Sequence, residues 1–267
     1  MGKFDGMLFC TDLDGTLYRS DKTVSEENLE AIAYFKSEGG IFTFITGRPP
    51  ISAKDIWNLI KPNAPYGCFN GAGIYDQRTK SFLWRMTLPK EVMDLVAYVD
   101  EHMPDIGIQL NAEQQIYSNK DNPAMMDLRR AQKLPEVFCH YTDVQEPVVK
   151  VIFAHRDGAR IEALQDVLNR YPKAKDYDYI RSEHSLYEVL PKGVSKGVAL
   201  EKMAQLLGVD MRKTIAVGDY ENDVSMIRRA GIGIAVANAC PAAKAAADHI
   251  TVDNDSHAIA RIIRELG

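Results

Sequence analysis

Three short apolar runs in the sequence each end at polar residues that are able to do chemistry. The runs comprise residues 7–11, 41–45 and 214–217. The polar residues that follow them are Asp12 and Asp14, Thr46 and Arg48, and Asp219. A continuous apolar run of this length before a helical pattern predicts a buried parallel strand. Because ligand sites in open α/β sheets lie beyond the carboxyl ends of the strands, we expect one site for a phosphate and a divalent cation.

The first and last thirds of the chain alternate strand and helix patterns. The first third predicts a βαβαβ unit, in which Ser25 caps a helix that ends at Gly39, and the third strand covers residues 66–69. The other predicted helices of these thirds comprise residues 50–60, 194–207, 222–230, 241–247 and 256–266. Such alternation predicts an α/β fold with a doubly wound parallel sheet.

The middle of the chain has a different pattern. Its strands come partly in adjacent pairs, near residues 106–118 and 178–190, with helices over residues 90–102, 124–132 and 159–171. This pattern predicts an inserted α+β cap domain at residues 84–190. The core domain then consists of residues 1–83 and 191–267. Because two chain connections would join the cap to the core, we expect a lid that opens and closes.

Composition and charge exclude several classes of protein. A net charge of −5 over 267 residues argues against a nucleic-acid-binding protein, which usually has a basic face. The four cysteines form no CxxC pair, so we expect neither a disulfide nor a zinc site. The N-terminus lacks a signal-peptide pattern, and no apolar run approaches the roughly 18 residues of a membrane span. We therefore expect a cytoplasmic protein without a membrane partner.

Four carboxylates are predicted to share the site at the sheet edge, namely those of Asp12, Asp14, Asp219 and Asp223. Without a counter-charge they would repel one another and raise each other's pKa. A hard divalent cation removes this repulsion, and Mg²⁺ prefers oxygen ligands. A single aspartate at a strand end more often forms a turn or caps a helix, but three strands that end alike favour a metal site.

Four segments of the chain resemble the motifs of haloacid dehalogenase superfamily phosphatases. In chain order they are Asp12-Leu13-Asp14-Gly15-Thr16-Leu17, Thr46-Gly47-Arg48, Lys196 in Gly193-Val194-Ser195-Lys196-Gly197, and Gly218-Asp219-Tyr220-Glu221-Asn222-Asp223. The insertion point and Asn70-Gly71-Ala72 resemble the Cof-type subfamily, whose members carry a C2-type cap. The run that begins at Asn254 lacks the glycine of that subfamily's C-terminal pattern, which leaves the role of Asn254 open.

The resemblance implies a chemical role for each acidic residue. Asp12 would be the nucleophile and would form an aspartyl-phosphate. Asp14 would donate a proton to the leaving alcohol and then accept one from the hydrolytic water. The Asp12 carboxylate, the Asp14 backbone carbonyl and the Asp219 carboxylate would hold Mg²⁺. Asp223 would either bind the metal directly or support its ligands.

The resemblance also implies the residues that hold the phosphoryl group, which are Leu13, Thr46, Gly47, Lys196 and Asn222. Three alternatives stay open. Lys192 competes with Lys196 for the role of the phosphate-binding lysine. Arg48 would either bind substrate or pair with a core acid. Asn222 and Asp223 could instead cap the following helix.

The resemblance implies a small phosphorylated metabolite as substrate, with a sugar phosphate as one candidate, and places substrate choice in the cap. Polar cap residues near predicted turns are Arg129, Arg130, Arg181 and His184, although such residues are more often ordinary surface residues. The leading hypothesis is a Mg²⁺-dependent phosphatase. The alternatives are a phosphotransferase or phosphomutase with the same intermediate, and a non-catalytic module that binds a phosphometabolite. A dinucleotide site is excluded because no GxGxxG follows the first strand.

Overall fold

The computed structural model describes residues 2–113, 115–132 and 135–267 of the chain. The chain divides into two compact units: unit 1 comprises residues 1–85 and 195–267, and unit 2 comprises residues 86–194. The sequence-based domain boundaries, at 83/84 and 190/191, stay predictions.

The secondary structure alternates strands and helices at both ends of the chain. The strands are β1 (Leu8–Thr11), β2 (Ile41–Phe44), β3 (Tyr66–Cys68), β4 (Gly73–Asp76), β5 (Ser81–Arg85), β6 (Gly107–Ala112), β7 (Ile116–Lys120), β8 (Glu136–Phe138), β9 (Val148–Ala154), β10 (Tyr177–Glu183), β11 (Leu186–Pro191), β12 (Thr214–Gly218), β13 (Ile232–Ala235) and β14 (His249–Ile250). The helices are α1 (Glu26–Ser37), α2 (Pro50–Ile60), α3 (Val92–His102), α4 (Pro123–Gln132), α5 (Gly158–Arg170), α6 (Lys196–Leu207), α7 (Val224–Arg229), α8 (Pro241–Ala246) and α9 (Ala258–Leu266).

Unit 1 is built on a five-stranded parallel sheet in the order β14-β13-β12-β1-β2. Helices cover both of its faces. Phe9 of β1 contacts Phe35 of α1 on one face, while Leu8 and Cys10 of β1 pack against α6 residues such as Leu200 on the other. Phe9 on one face and Leu8 and Cys10 on the other are fully buried. Burial of both faces accounts for the uninterrupted apolar run of β1. The predicted doubly wound α/β sheet is confirmed.

Local signals set the helix ends of unit 1 as the sequence indicated. The Ser25 hydroxyl accepts a hydrogen bond from the Asn28 N–H and caps α1. Pro50 occupies the first turn of α2, where its missing N–H costs nothing. The Ser195 hydroxyl caps α6 by accepting from the Val198 N–H, and left-handed Gly208 ends that helix.

The third predicted strand of the βαβαβ unit pairs differently from the expectation. β3 runs antiparallel to β4 in a separate three-stranded sheet, β3-β4-β5. It is linked to the strand end at Ile45 by an isolated parallel bridge to Gly67. Only the short turn at residues 69–72 separates β3 from β4, and a parallel pair needs a crossover of about a dozen residues. The chain therefore returns antiparallel.

Unit 2 contains a six-stranded sheet in the order β10-β11-β9-β6-β7-β8. Its neighbouring strands are antiparallel except for β7 and β8. Apolar residues of α3 and α5, such as Val96 and Leu164, form a core with Val151 and Phe153 of β9. Residues of α4 pack with Ile152, on the alternate positions of the same strand. This is the α+β architecture predicted for the inserted segment.

Candidate active site

The parallel register of unit 1 brings three polar strand ends together. Thr11 of β1 pairs with Phe44 of β2 and with Val217 of β12. The next residues along each strand are therefore neighbours at the carboxyl edge of the sheet. The Asp12 N–H donates to the Val217 carbonyl at 2.8 Å, which holds Asp12 beside the end of β12.

Lys196 lies at the centre of the polar residues at this edge. Its Nζ lies 2.6 Å from Asp12 Oδ1 and 2.6 Å from Asp223 Oδ1, and the residue is 1% exposed. The competing Lys192 pairs instead with Asp178 of unit 2, at 2.7 Å. Of the two lysines, the structure brings Lys196 together with the acidic residues.

Asp219 and Asp223 are joined to the cluster by distinct sets of hydrogen bonds. Asp223 Oδ2 accepts from the N–H groups of Asp219 and Tyr220, at 2.9 and 3.0 Å, while its Oδ1 contacts Lys196. Asp219 Oδ1 accepts from the Thr16 hydroxyl at 2.9 Å. Asp223 thus uses both oxygens inside the protein. These bonds go to the backbone at residues 219 and 220, and within the described residues Asp223 makes no side-chain capping hydrogen bond to α7.

This cluster contains three carboxylates and one ammonium group, which contacts two of them. Burial, and then repulsion by Asp223, raise the pKa of Asp219 to about 7. Burial and the same neighbouring carboxylates raise the pKa of Asp12 well above its ordinary value, although Lys196 opposes this. Burial alone would lower the pKa of Lys196, but Asp12 and Asp223 outweigh burial and raise it. The cluster therefore has an excess of negative charge.

Asp14 belongs to a second group of charges. Arg48 donates from Nε to Asp14 Oδ2 and from a terminal nitrogen to Oδ1, both at 2.8 Å, and Lys22 Nζ lies 3.2 Å from Oδ1. Burial disfavours the charged form of Asp14, but these two cations outweigh burial and lower its pKa below the ordinary value. Of the two roles considered for Arg48, the structure displays pairing with an acid, and its guanidinium also lies over the Tyr18 ring.

The predicted phosphate-binding residues lie around the same strand ends. The Thr46 hydroxyl accepts from the Arg48 N–H at 3.2 Å and is buried, as is Leu13. Asn222 donates from Nδ2 to Asn70 Oδ1 at 3.0 Å, while its own Oδ1 is buried and unpaired among the described residues. A Cβ on Gly47 would lie 3.0 Å from Asn70 Oδ1, so the second and fourth motifs meet at Asn70.

The candidate cap residues lie within unit 2 in contacts of their own. Arg129 pairs with Glu136 and Asp121, and its guanidinium lies over Phe138. Exposed Arg130 lies 3.9 Å from Asp127. Arg181 donates to the His184 carbonyl at 3.0 Å. These contacts assign no ligand to the four residues, and their proposed role in substrate choice stays a prediction.

Sequence reasoning did not assign a role to four residues of the site. Lys22 lies in a polar turn and carries no motif, while Asn238 lies in a loop after β13. Thr16 and Asn70 fall inside segments that carried the family resemblance, so their position was a usable signal. Lys22 contacts Asp14, and Asn238 Nδ2 donates to the Gly15 carbonyl at 2.8 Å, so both contacts depend on folding.

The donor set of the cluster fits a divalent cation. One carboxylate oxygen each from Asp12, Asp219 and Asp223 lie within 4.8 Å of one another. Carboxylate oxygens are ligands that Mg²⁺ prefers, and the excess negative charge would be offset by a dication. Asp223 is already hydrogen-bonded through both oxygens, whereas Asp12 and Asp219 each keep Oδ2 outside the hydrogen bonds described above.

Comparison with known proteins defines the class of this chain. The family model of haloacid dehalogenase-like hydrolases matches residues 9–263. The chain therefore belongs to this family, and the predicted resemblance and the prediction of an enzyme of the hydrolase class are confirmed.

Similar proteins match over nearly their full length. The chain is 29% identical to the putative phosphatase YxeH of Bacillus subtilis, with 97% of each chain covered. It is 26% identical to the 5-amino-6-(5-phospho-D-ribitylamino)uracil phosphatase YitU of the same organism, with 97% of this chain and 96% of that one covered. A crystal structure of a haloacid dehalogenase-like hydrolase from Bacteroides thetaiotaomicron has a TM-score of 0.86 at 26% identity, with 98% and 99% of the two chains covered.

Within residues 2–113, 115–132 and 135–267, no helix is long and apolar enough to cross a bilayer.

Proposed function

We propose that this chain is a Mg²⁺-dependent phosphatase that hydrolyses a small phosphorylated metabolite through an aspartyl-phosphate. The observation that carries the proposal is the buried contact of Lys196 with Asp12 and Asp223. This contact lies beside Asp219, and Asp14 is close to Asp12 in the chain. A nucleophile, a phosphate-binding cation and a group for proton transfer are thus within one region of unit 1.

Asp12 is the proposed nucleophile. One of its oxygens is bound to Lys196, which leaves Oδ2 to attack the phosphorus atom. The new Asp12 O–P bond forms as the P–O bond to the leaving alcohol breaks. Arg48 and Lys22 favour the ionised form of Asp14, so the proton that Asp14 passes to the alcohol oxygen enters with the substrate, as on the monoanion of a phosphate monoester. Water then attacks the phosphorus, Asp14 accepts the proton of the water, and the Asp12 carboxylate and inorganic phosphate are released.

The proposed phosphoryl contacts come from groups that donate hydrogen bonds. Lys196 supplies charge, while the Thr46 hydroxyl and the N–H groups of Leu13 and Gly47 supply neutral donors. The Asn222 amide retains one N–H besides the one donated to Asn70, and this group completes the set. Their positions at strand ends, at the start of α6 and in the turn before α7 hold them in place before the charge shifts to the phosphoryl oxygens.

Asp12, the Asp14 backbone carbonyl and Asp219 would hold Mg²⁺. When bound, the ion screens the negative charge of Asp12 from that of the phosphate. For Asp223 we propose a supporting role, since Oδ1 orients Lys196 and Oδ2 fixes the backbone at Asp219 and Tyr220. Of the two roles that the sequence left open for Asp223, the proposal therefore takes the supporting one.

Relatives guide the choice of substrates to test. YitU, which is 26% identical, is named as a phosphatase of a phosphorylated ribitylamino compound. We propose small phosphorylated metabolites as the substrate class and sugar phosphates as the first group to screen. Neither a nucleic acid nor a membrane is part of the proposal, and a cytoplasmic location stays a prediction from the sequence.

The first test is release of nitrophenol from p-nitrophenyl phosphate in the presence of Mg²⁺ or EDTA. We expect turnover with Mg²⁺, its loss with EDTA, and loss of at least about a thousandfold in kcat for Asp12→Asn, because the amide is no nucleophile. Asp76→Asn, an aspartate at the end of β4, is the matched control and should keep the wild-type rate. Near-normal turnover of Asp12→Asn, with circular dichroism unchanged, would refute the nucleophile assignment.

A phosphotransferase or phosphomutase is the second candidate because it uses the same intermediate. The two activities differ in the final acceptor, which is water for a phosphatase and a second hydroxyl for a transferase. Free phosphate formed from a sugar monophosphate without an added acceptor or activator would exclude an obligatory transferase. Phosphate that appears only on a second sugar would instead support it.

A further inference from the structure

The turn that carries Asp14 is held from outside by two asparagine side chains. This turn, residues 13–18, is closed internally by the Tyr18 N–H, which donates to the Leu13 carbonyl at 2.8 Å. Asn238 Nδ2 donates to the Gly15 carbonyl at 2.8 Å. Asn254 Nδ2 donates to the Tyr18 carbonyl at 2.9 Å. The two amides thus hold one carbonyl next to Asp14 and one at the end of the turn.

The two asparagines are also joined to each other and to the end of β12. The Asn254 N–H donates to Asn238 Oδ1 at 3.0 Å. In the same loop as Asn238, the Cys240 N–H donates to the Asp219 carbonyl at 2.8 Å. One loop after β13 therefore contacts the Asp14 turn and the Asp219 backbone together.

The position of Gly15 is critical for the geometry of the site. Its φ is +80°, and a Cβ there would lie 2.5 Å from Asp219 Oδ2, so the turn and the carboxylate are in close approach. Thr16, the next residue, donates to Asp219 Oδ1. A displacement of the Gly15 carbonyl would therefore move Asp14 on one side and the Thr16–Asp219 contact on the other.

The chemistry of the contacts explains why amides occupy these positions. Asn254 is only 6% exposed, and its side chain must donate to a carbonyl oxygen. Asn238 must donate from Nδ2 and accept at Oδ1 at the same time. A carboxylate of the same shape has acceptors only. At position 254 it would lose the hydrogen bond to the Tyr18 carbonyl oxygen and repel that oxygen.

We propose that Asn238 and Asn254 are positioning residues for the active site, which fix the turn of residues 13–18 so that Asp14 and Thr16 reach their partners. This inference rests on the proposed function, and it assigns a role to Asn254. Two residues that are distant from Asp14 in the sequence would then help to set the geometry of proton transfer.

The test compares Asn254→Asp with Asn28→Asp. Both substitutions place a carboxyl group at a buried asparagine, and Asn28 accepts from the Ala260 N–H, between α1 and α9. For Asn254→Asp we expect kcat for p-nitrophenyl phosphate to fall about 10- to 100-fold, the range found for residues that orient catalytic ligands, with KM changed less than about twofold. Asn28→Asp should lower the melting temperature and leave kcat and KM at the wild-type values.

Amide hydrogen exchange of residues 13–18, followed by mass spectrometry, provides a readout that does not need turnover. Exchange there should become faster in Asn254→Asp and stay unchanged in Asn28→Asp. Unchanged exchange in Asn254→Asp, or a loss of kcat no larger than that of Asn28→Asp, would overturn the proposal. If the wild-type chain has no phosphatase activity, the proposed function fails and the exchange comparison alone decides whether the two asparagines hold the turn.

Asn238→Ala covers the case in which Asn254→Asp does not fold. Asn238 is exposed, so its loss should leave the core intact. We expect faster exchange at residues 13–18 and a fall in kcat of about two- to tenfold, as for loss of one hydrogen bond. Wild-type exchange and wild-type kcat in this variant would also overturn the proposal.

Discussion

Lys196 is buried and still charged because two carboxylates share its ammonium group. Asp12 and Asp223 each lie 2.6 Å from its Nζ, and together they raise its pKa although burial acts in the opposite direction. Among the residues that the structure describes, Asp219 has no such partner at short range and accepts only a neutral hydroxyl, from Thr16. Its carboxylate therefore contributes most of the charge that a bound cation would offset.

The pKa of Asp219 leads to a prediction about pH and metal. An unfolded aspartate has a pKa of about 3.9, whereas burial and then Asp223 raise that of folded Asp219 to about 7. Between these values the folded state binds more protons than the unfolded state, so unfolding free energy falls as pH rises. In EDTA, the stabilising contribution of Asp219 should be present below about pH 4 and lost by about pH 8.

Thermal denaturation at pH 5 and pH 8, with EDTA or Mg²⁺, tests this sign. Mg²⁺ favours the ionised carboxylate, so it should raise the melting temperature more at pH 8 than at pH 5. Asp219→Asn serves as the control, in which the difference between the two pH values should shrink. An equal effect of Mg²⁺ at both pH values would contradict the prediction.

The N-terminus of α6 depends on close packing against the turn between β3 and β4. Gly71 has a φ of +95°, and a Cβ there would lie inside the contact distance of the Ser195 carbonyl oxygen. Ser195 caps α6 and directly precedes Lys196. The glycine of the Asn70-Gly71-Ala72 segment therefore has a physical reason, which is the placement of the phosphate-binding lysine.

Gly71→Ala should consequently damage both stability and turnover. The left-handed conformation alone costs an alanine about 1–2 kcal/mol, and the contact with Ser195 displaces the start of α6 in addition. Gly208→Ala is the matched control, since Gly208 has a φ of +67° and open space around it. We expect both variants to melt earlier, and only Gly71→Ala to lose kcat.

Kinetics and melting curves of the two variants measure these effects. Equal kcat in Gly71→Ala and Gly208→Ala would show that the packing at Ser195 has no part in placing Lys196.

At the scale of the whole molecule, the two units differ in how they bury polar groups. The buried charged residues of unit 1 lie at the proposed site. Unit 2 instead contains a buried ion pair between β9 and β11, in which Lys150 Nζ lies 2.8 Å from Glu188 Oε2 and 2% of each residue is exposed. The Ser182 hydroxyl donates to the other oxygen of Glu188. Removal of one partner would break this buried ion pair.

Lys150→Met is therefore expected to lower the free energy of unfolding by about 3–5 kcal/mol, the range for a broken buried ion pair. The double variant Lys150→Met with Glu188→Leu should recover most of this loss, because both charges are then absent. Urea denaturation measures both variants against Lys173→Met, a change at an exposed lysine. A loss as small in Lys150→Met as in Lys173→Met would contradict the prediction.

Much of the framework was predictable from local patterns. The apolar runs of β1, β2 and β12, the cap at Ser25 and the glycine at position 208 each act within a few residues, so the sequence displays them directly. The third strand was assigned to the wrong sheet, because a three-residue strand carries no signal of its partner. β4, β5 and β8 were missed, since they lack the long apolar run that marks the parallel strands.

The sequence by itself determined the helices and the parallel strands of β1, β2 and β12, the family resemblance and the acidic residues at the strand ends, because periodicity and short motifs are local properties. Only the tertiary structure decided which charged side chains pair with each other. Arg48 pairs with Asp14 across 34 positions, and Asn238 holds the Gly15 carbonyl across 223. Such contacts exist only after the parallel sheet has aligned distant strand ends, and a sequence pattern contains no measure of that alignment.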